Sequence, residues 1–278
     1  MATLPNPLPR LATDPSGRSL GLRLPPGRLL DTTDDGPHRE PLLWLADKPA
    51  APGTWAALGA PAARAGLLPV LVETGGPQGG PEQWELMPDD MSYPGDHDPE
   101  DVLAEYWEGD GEDGEDGEDE EPGDLLAPFG AEWPGLASAG KFTVDPATRA
   151  ARAADELTGD QGQSVFPAPH LALVPARRSA DVPAAIGWTG PLNHENDVAR
   201  LCAVLRSWED RFGIRVVALG FDALLLSVAA PPTDLAEAEA VAAEHFAFCP
   251  DNITQGADTL RAYAKELVGE TTWFFWWD

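Results

Sequence analysis

The stretch from Asp96 to Asp124 limits what this chain can fold into more than any other feature. It carries 16 acidic residues and no Lys or Arg, and its centre repeats Gly-Glu-Asp at Gly111 to Asp113, Gly114 to Asp116 and Gly117 to Asp119. Such a composition buries too little apolar surface to offset the entropy of ordering it. It predicts a solvated linker or long loop over 96–124, with separate folded parts on either side. Outside it, 31 acidic residues still face 18 basic ones, and the whole chain has a net charge of −29. Binding a phosphate backbone needs a basic stripe, so nucleic acid is excluded as a direct ligand. An anionic membrane surface is excluded for the same reason.

Before the acidic run, residues 1–40 are broken by Pro5, Pro7, Pro9, Pro15, Pro25 and Pro26 and predict an irregular segment without a signal peptide. Residues 41–95 predict a small α/β unit. Pro41 to Leu45 and Leu67 to Val72 are short apolar runs that suit strands. Between them, Thr54 can cap a helix to Ala65, with Trp55, Leu58 and Ala62 along one stripe and Gly66 ending it. Strand, helix and strand in that order suit a β-α-β unit.

After the run, residues 125–170 predict a connecting segment. Ala127 to Leu136 is dense in Pro, Gly and aromatics and suits an ordered loop packed on the C-terminal domain, and Asp145 to Leu157 suits an exposed helix. Residues 171–278 carry clearer signals. Leu171 to Pro175 suits a strand. Asn193 or Asn196 can cap a helix to Phe212, along which Val198, Leu201, Cys202, Leu205, Trp208 and Phe212 keep three- and four-residue steps. Ile214 to Phe221 and Ala223 to Ala230 suit two strands joined tightly. Thr233 can cap a helix to Phe248, Thr259 to Leu267 suits a shorter helix, and Thr271 to Trp277 an aromatic strand. That order predicts an α+β fold, a ferredoxin-like βαββαβ sandwich with its helices on one face of an antiparallel sheet.

Several of these segments carry longer motifs. They are Ala184-Ala-Ile-Gly-Trp-Thr-Gly-Pro-Leu-Asn193, Val204-Leu-Arg-Ser-Trp-Glu-Asp-Arg-Phe-Gly213, Gly220-Phe-Asp-Ala-Leu224, Ala243-Glu-His-Phe-Ala-Phe-Cys-Pro-Asp-Asn252 and Trp276-Trp-Asp278. Together they resemble an uncharacterised bacterial family, domain of unknown function 4253. The resemblance is dense over about 170–278 and looser at Trp44, Leu67 to Val72, Trp133-Pro-Gly135 and Leu173-Val-Pro175. It implies no activity and no catalytic residue.

Five positions stand out as a candidate binding set: Trp188, Asn193, Arg206, Asp210 and His245. His245 and Cys249 lie four apart and on one helix face would share a side. Soft ligands at that spacing suit zinc, but no C-x-x-C partner exists, and a buried thiol beside a core histidine suits the pattern equally. A Cys-His nucleophile would need an activating environment. Arg206 and Asp210 form an i,i+4 pair beside Trp208, either a solvated face or a recognition surface. Trp188 and Asn193 flank a Gly-Pro loop before a helix, where an anion could sit, or where Trp188 plugs the core and Asn193 caps. The alternating aromatics at Trp273 to Trp277 need a cover on both faces. Asp96 to Glu100 resembles the opening of a calcium loop but lacks its glycine and closing glutamate. No phosphate-cradling G-x-x-x-x-G-K-[ST], G-x-S-x-G or H-E-x-x-H pattern occurs, and no cofactor is implied.

With only Cys202 and Cys249, the chain suits a reducing cytoplasm. The functional expectation is a cytoplasmic binding or interaction domain with a protein partner, of which an immunity-type protein that neutralises a basic toxin is one version. The alternative is an enzyme with a small-molecule pocket between the N-terminal unit and the C-terminal sheet, using Trp188, Asn193, Arg206 and His245.

Overall fold

A computed structural model describes residues 5–113, 125–159 and 165–278. The second and third Gly-Glu-Asp repeats lie outside the described residues. The strands are β1 (Gly27–Leu30), β2 (Thr32–Thr33), β3 (Gly36–Pro37), β4 (Leu43–Pro49), β5 (Leu68–Val72), β6 (His170–Val174), β7 (Arg215–Leu219), β8 (Ala223–Ser227) and β9 (Thr272–Trp276). The α-helices are α1 (Pro9–Thr13), α2 (Thr54–Arg64), α3 (Pro99–Asp113), α4 (Pro146–Thr158), α5 (Val182–Ile186), α6 (Val198–Phe212), α7 (Leu235–Phe248) and α8 (Leu260–Leu267).

Seven strands form one mixed sheet in the order β1-β4-β6-β5-β7-β8-β9, and β2 and β3 make a separate ribbon. This is an α+β arrangement, but not the ferredoxin-like order. In that order the first strand of the 171–278 segment would lie between its third and fourth. Here β6 is inserted between β4 and β5, antiparallel to both, while β7, β8 and β9 follow as a meander. Among the described residues, the only parallel pair is β5 with β7. The β4-α2-β5 unit is therefore split, and one sheet runs through both parts of the chain.

Side-chain alternation along the strands feeds two cores. Leu43 and Leu45, Val70 and Val72, Ala172 and Val174 face one side. Trp44, Leu71, Leu171 and Leu173 face the other. The first side is covered by α3, α6, α7 and α8, the second by α1, α2 and α4. Helices thus lie on both faces rather than one, and Phe274 on the second face meets Phe166 edge-on at 6.2 Å.

The acidic linker is also corrected in part. Asp98 caps α3 by accepting from the Glu100 N–H at 2.9 Å, and Pro99 opens the helix. Glu100 and Asp101 favour its positive end. Val102, Leu103 and Trp107 are buried in the first core, with Trp107 edge-on to Phe246 at 5.5 Å. Few apolar residues are needed when they recur one helical turn apart.

Capping differs from expectation at three helices. Gly53, with φ 84°, precedes α2 in place of Thr54. Asp197, not Asn193 or Asn196, caps α6 by accepting from the Ala199 N–H at 3.2 Å. Asp234, not Thr233, caps α7 by accepting from the Glu237 N–H at 2.9 Å. Among the described residues no helix is long and apolar enough to cross a membrane.

Candidate functional site

His245 and Cys249 sit at the end of α7, where its apolar surface meets the sheet. Both are fully buried. The His245 ring lies among Trp273 (4.5 Å), Phe275 (4.8 Å) and Trp208 (5.0 Å), measured between ring centroids. Its Nδ1 is 3.1 Å from the Tyr263 hydroxyl, and its Nε2 has no hydrogen-bond partner among the described residues. The Cys249 thiol donates to the Trp276 carbonyl at 3.0 Å. Burial holds the imidazole well below its ordinary range and pushes the thiol far up. Both groups are therefore neutral near pH 7. An uncharged, enclosed thiol is neither a nucleophile nor a metal ligand. Among the described residues, no group of three His, Cys, Asp or Glu side chains could hold a metal ion.

Asn252 gives this cluster a structural task. It opens a π-helical turn, Asn252–Ala257, beside the outer edge of β9. Its Nδ2 donates to the Phe274 carbonyl at 2.6 Å and its Oδ1 accepts from the Trp276 N–H at 3.3 Å. One side-chain amide thus satisfies backbone groups that a neighbouring strand would otherwise claim. Asp251 points elsewhere and accepts from the Asp278 N–H at 3.0 Å.

Glu244, the neighbour of His245, is the most demanding group in the core. Its side chain is 0% exposed. Oε1 accepts from Arg211 at 2.7 Å and from the Ala137 N–H at 2.7 Å. Oε2 accepts from Arg211 at 2.6 Å and from the Trp208 indole N–H at 2.7 Å. Arg211 also donates to the Ala137 carbonyl at 2.8 Å, so the ion pair ties α6, α7 and the loop after Leu136 together. Sequence reading noted these residues but not their union, because 33 positions separate the partners.

Arg206 and Asp210 do not pair with each other. Arg206 reaches Asp181 at 2.5 Å and lies 4.9 Å over the Tyr93 ring. Asp210 takes Arg178 at 2.6 Å, and Glu209 lies 3.6 Å from both Arg178 and Arg215. Trp188 is buried, donates to the Gly220 carbonyl at 2.9 Å and meets Trp277 edge-on at 5.7 Å. Asn193 is exposed and donates to the Asp278 carbonyl. Trp188 and His245 belong to one aromatic layer through Trp277 and Phe275. Arg206 lines an outer groove beside Tyr93, and Asn193 stands apart from both. The five residues do not converge on one cavity.

A polar cluster at the start of α6 escaped the sequence reading. Tyr106 of α3 donates to Glu195, and Arg200 lies 3.3 Å from Glu195 and 2.6 Å from Glu105. Burial, then Glu195, raises the Tyr106 phenol, and burial lowers the His194 imidazole, whose ring is 4.7 Å from Tyr106. Its only sequence signal was the spacing of Tyr106 with the apolar stripe of α3. The cluster fastens the acidic helix to α6.

The profile of one protein family, described as Domain of unknown function (DUF4253), matches residues 170–278. That segment spans β6 to β9 and coincides with the stretch whose motifs suggested it. No curated protein and no solved structure matches the chain.

Proposed function

We propose that this is a cytoplasmic binding module that acts by contact with a basic protein partner, as an immunity-type protein would. One observation carries the reading. Helix α3 presents Glu100, Asp101, Glu105 and Glu108 to solvent while Val102, Leu103 and Trp107 anchor it in the core. A rigidly held acidic face speeds association with a positive partner and selects against negative ones. The neutral, enclosed state of His245 and Cys249 speaks against chemistry at that cluster.

The test is capture from native cytosol by the full chain, at low and high salt, beside a Glu100→Gln/Asp101→Asn/Glu108→Gln variant. The expected result is a basic partner retained at low salt, released at high salt and weakly held by the variant. Recovery of no stable partner, or of one indifferent to salt and to the variant, overturns the reading.

A further inference from the structure

Away from the acidic helix, the second face of the sheet holds a cavity of about 770 Å³ between residues 21–26, β4 and the first turns of α2. Its walls include Leu24, Pro26, Ala46, Leu58 and Leu171, and its charged lining residues are Arg23 and Lys48 alone. Among the described residues no Asp or Glu lines it, in a chain with 47 acidic and 18 basic residues. Arg23 and Lys48 are both exposed and make no ion pair among the described residues. The carboxylate next to Lys48 in sequence, Asp47, is turned to Arg28 at 3.6 Å. Two uncommitted cations therefore face an apolar hollow.

The backbone is shaped to open it. The β4-β6 ladder pairs Leu45 with Ala172 and then shifts, resuming only at Pro49 with His170. His170 Nδ1 lies 2.8 Å from the Ala46 carbonyl within the interruption. Ala46 and Lys48 line the cavity from this bulge. Bulges of this kind recur beside binding sites, where they re-aim side chains.

We propose that this cavity binds a small amphipathic carboxylate, its anionic head between Arg23 and Lys48 and its apolar body against Leu24, Leu58 and Leu171. The volume falls within the roughly 300–1,000 Å³ of small-molecule sites, which combine apolar walls with a few placed polar groups. A cation-carboxylate hydrogen bond is about twice as strong as a neutral one, and the apolar body adds binding through buried area. The site lies on the opposite face of the sheet from α3, so its fate is independent of the protein-partner reading.

The experiment is calorimetric titration of the full chain with decanoate, 1-decanol and acetate. Decanoate binds saturably at one site. 1-Decanol and acetate each bind at least about tenfold more weakly, one lacking the charge and the other the apolar body. The exposed double substitution Arg23→Gln/Lys48→Gln weakens decanoate about tenfold or more at unchanged circular dichroism. Ala57→Trp, an exposed position on the cavity wall, blocks it, and Arg152→Gln, on α4, leaves it unchanged. Absence of saturable decanoate binding, or binding that survives both the charge removal and the filled wall, overturns the proposal.

Discussion

Replacing Arg211 by Met tests the reading of the core most directly. Glu244 has no exposed side-chain surface and takes all its hydrogen bonds from four donors, two of them on Arg211. Without Arg211 the carboxylate stays buried and keeps only the neutral N–H groups of Ala137 and Trp208. Breaking a buried pair from one side costs about 3–5 kcal/mol, a large share of the roughly 5–15 kcal/mol that holds a domain folded. Glu244→Gln does not escape the loss. Every neighbour of the carboxylate is a donor, so an amide NH2 would face another donor, at a cost of about 1–3 kcal/mol. The double substitution Arg211→Met/Glu244→Leu removes both charges and recovers part of the loss, because apolar replacement of a whole pair is often neutral. It leaves the Ala137 and Trp208 donors unmet, so recovery is incomplete. Urea midpoints at pH 7 with unchanged slopes for Arg211→Met, Glu244→Leu and the double substitution close the cycle and give a coupling of about 2 kcal/mol or more. If Arg211→Met costs less than about 1 kcal/mol, the value of an exposed pair, the carboxylate is solvated and the reasoning fails.

Acid is expected to destabilise the fold through His245 and His194, whose imidazoles burial holds below their ordinary range. The unfolded chain takes up these protons first, so stability is full above about pH 6.5 and falls below it, by up to about 1.4 kcal/mol per pH unit for each histidine. His245→Leu makes urea midpoints between pH 7.5 and 5.5 less steep, and parallel curves for the two proteins would refute the assignment. Cys202 and Cys249 are fully buried, with thiols pushed far up by burial, so a thiol reagent reacts with neither until denaturant unfolds the chain. Prompt native reaction would contradict that. Asn252→Ala uncaps the edge of β9 and is expected to cost about 1–3 kcal/mol and to promote aggregation, read by urea midpoint and light scattering. A fragment of residues 165–278 lacks both sheet partners of β6, so it is expected to show no cooperative urea transition. A sharp monomeric transition would overturn the split-sheet argument.

Local patterns were legible where one residue's neighbours in sequence are also its neighbours in space. The apolar steps from Val198 to Phe212 describe the buried stripe of α6, and Trp55, Leu58 and Ala62 describe that of α2. The aromatic run at Trp273 to Trp277 was readable as a strand, with Trp273 and Phe275 on the first core. Helix α3 was obscured because 16 acidic residues outweighed the turn-spaced Val102, Leu103, Tyr106 and Trp107 in any count of composition. For the candidate site, residue types were readable but partners were not. Arg206 had Asp210 one turn away and took Asp181 instead, from the short α5 approach.

By itself the sequence determined the acidic charge balance of the chain, several of its strand and helix segments, and the match of residues 170–278 to a domain of unknown function. These depend on composition and on periods of two and 3.6 residues, which are local properties. Tertiary structure alone decided that β6 enters between β4 and β5, that Arg211 meets Glu244, and that Arg23 and Lys48 share one apolar hollow. An apolar strand buried on both faces carries no mark of which edge it will join. A buried charge carries no mark of its counter-charge across 33 residues. Those choices follow from packing the whole sheet at once.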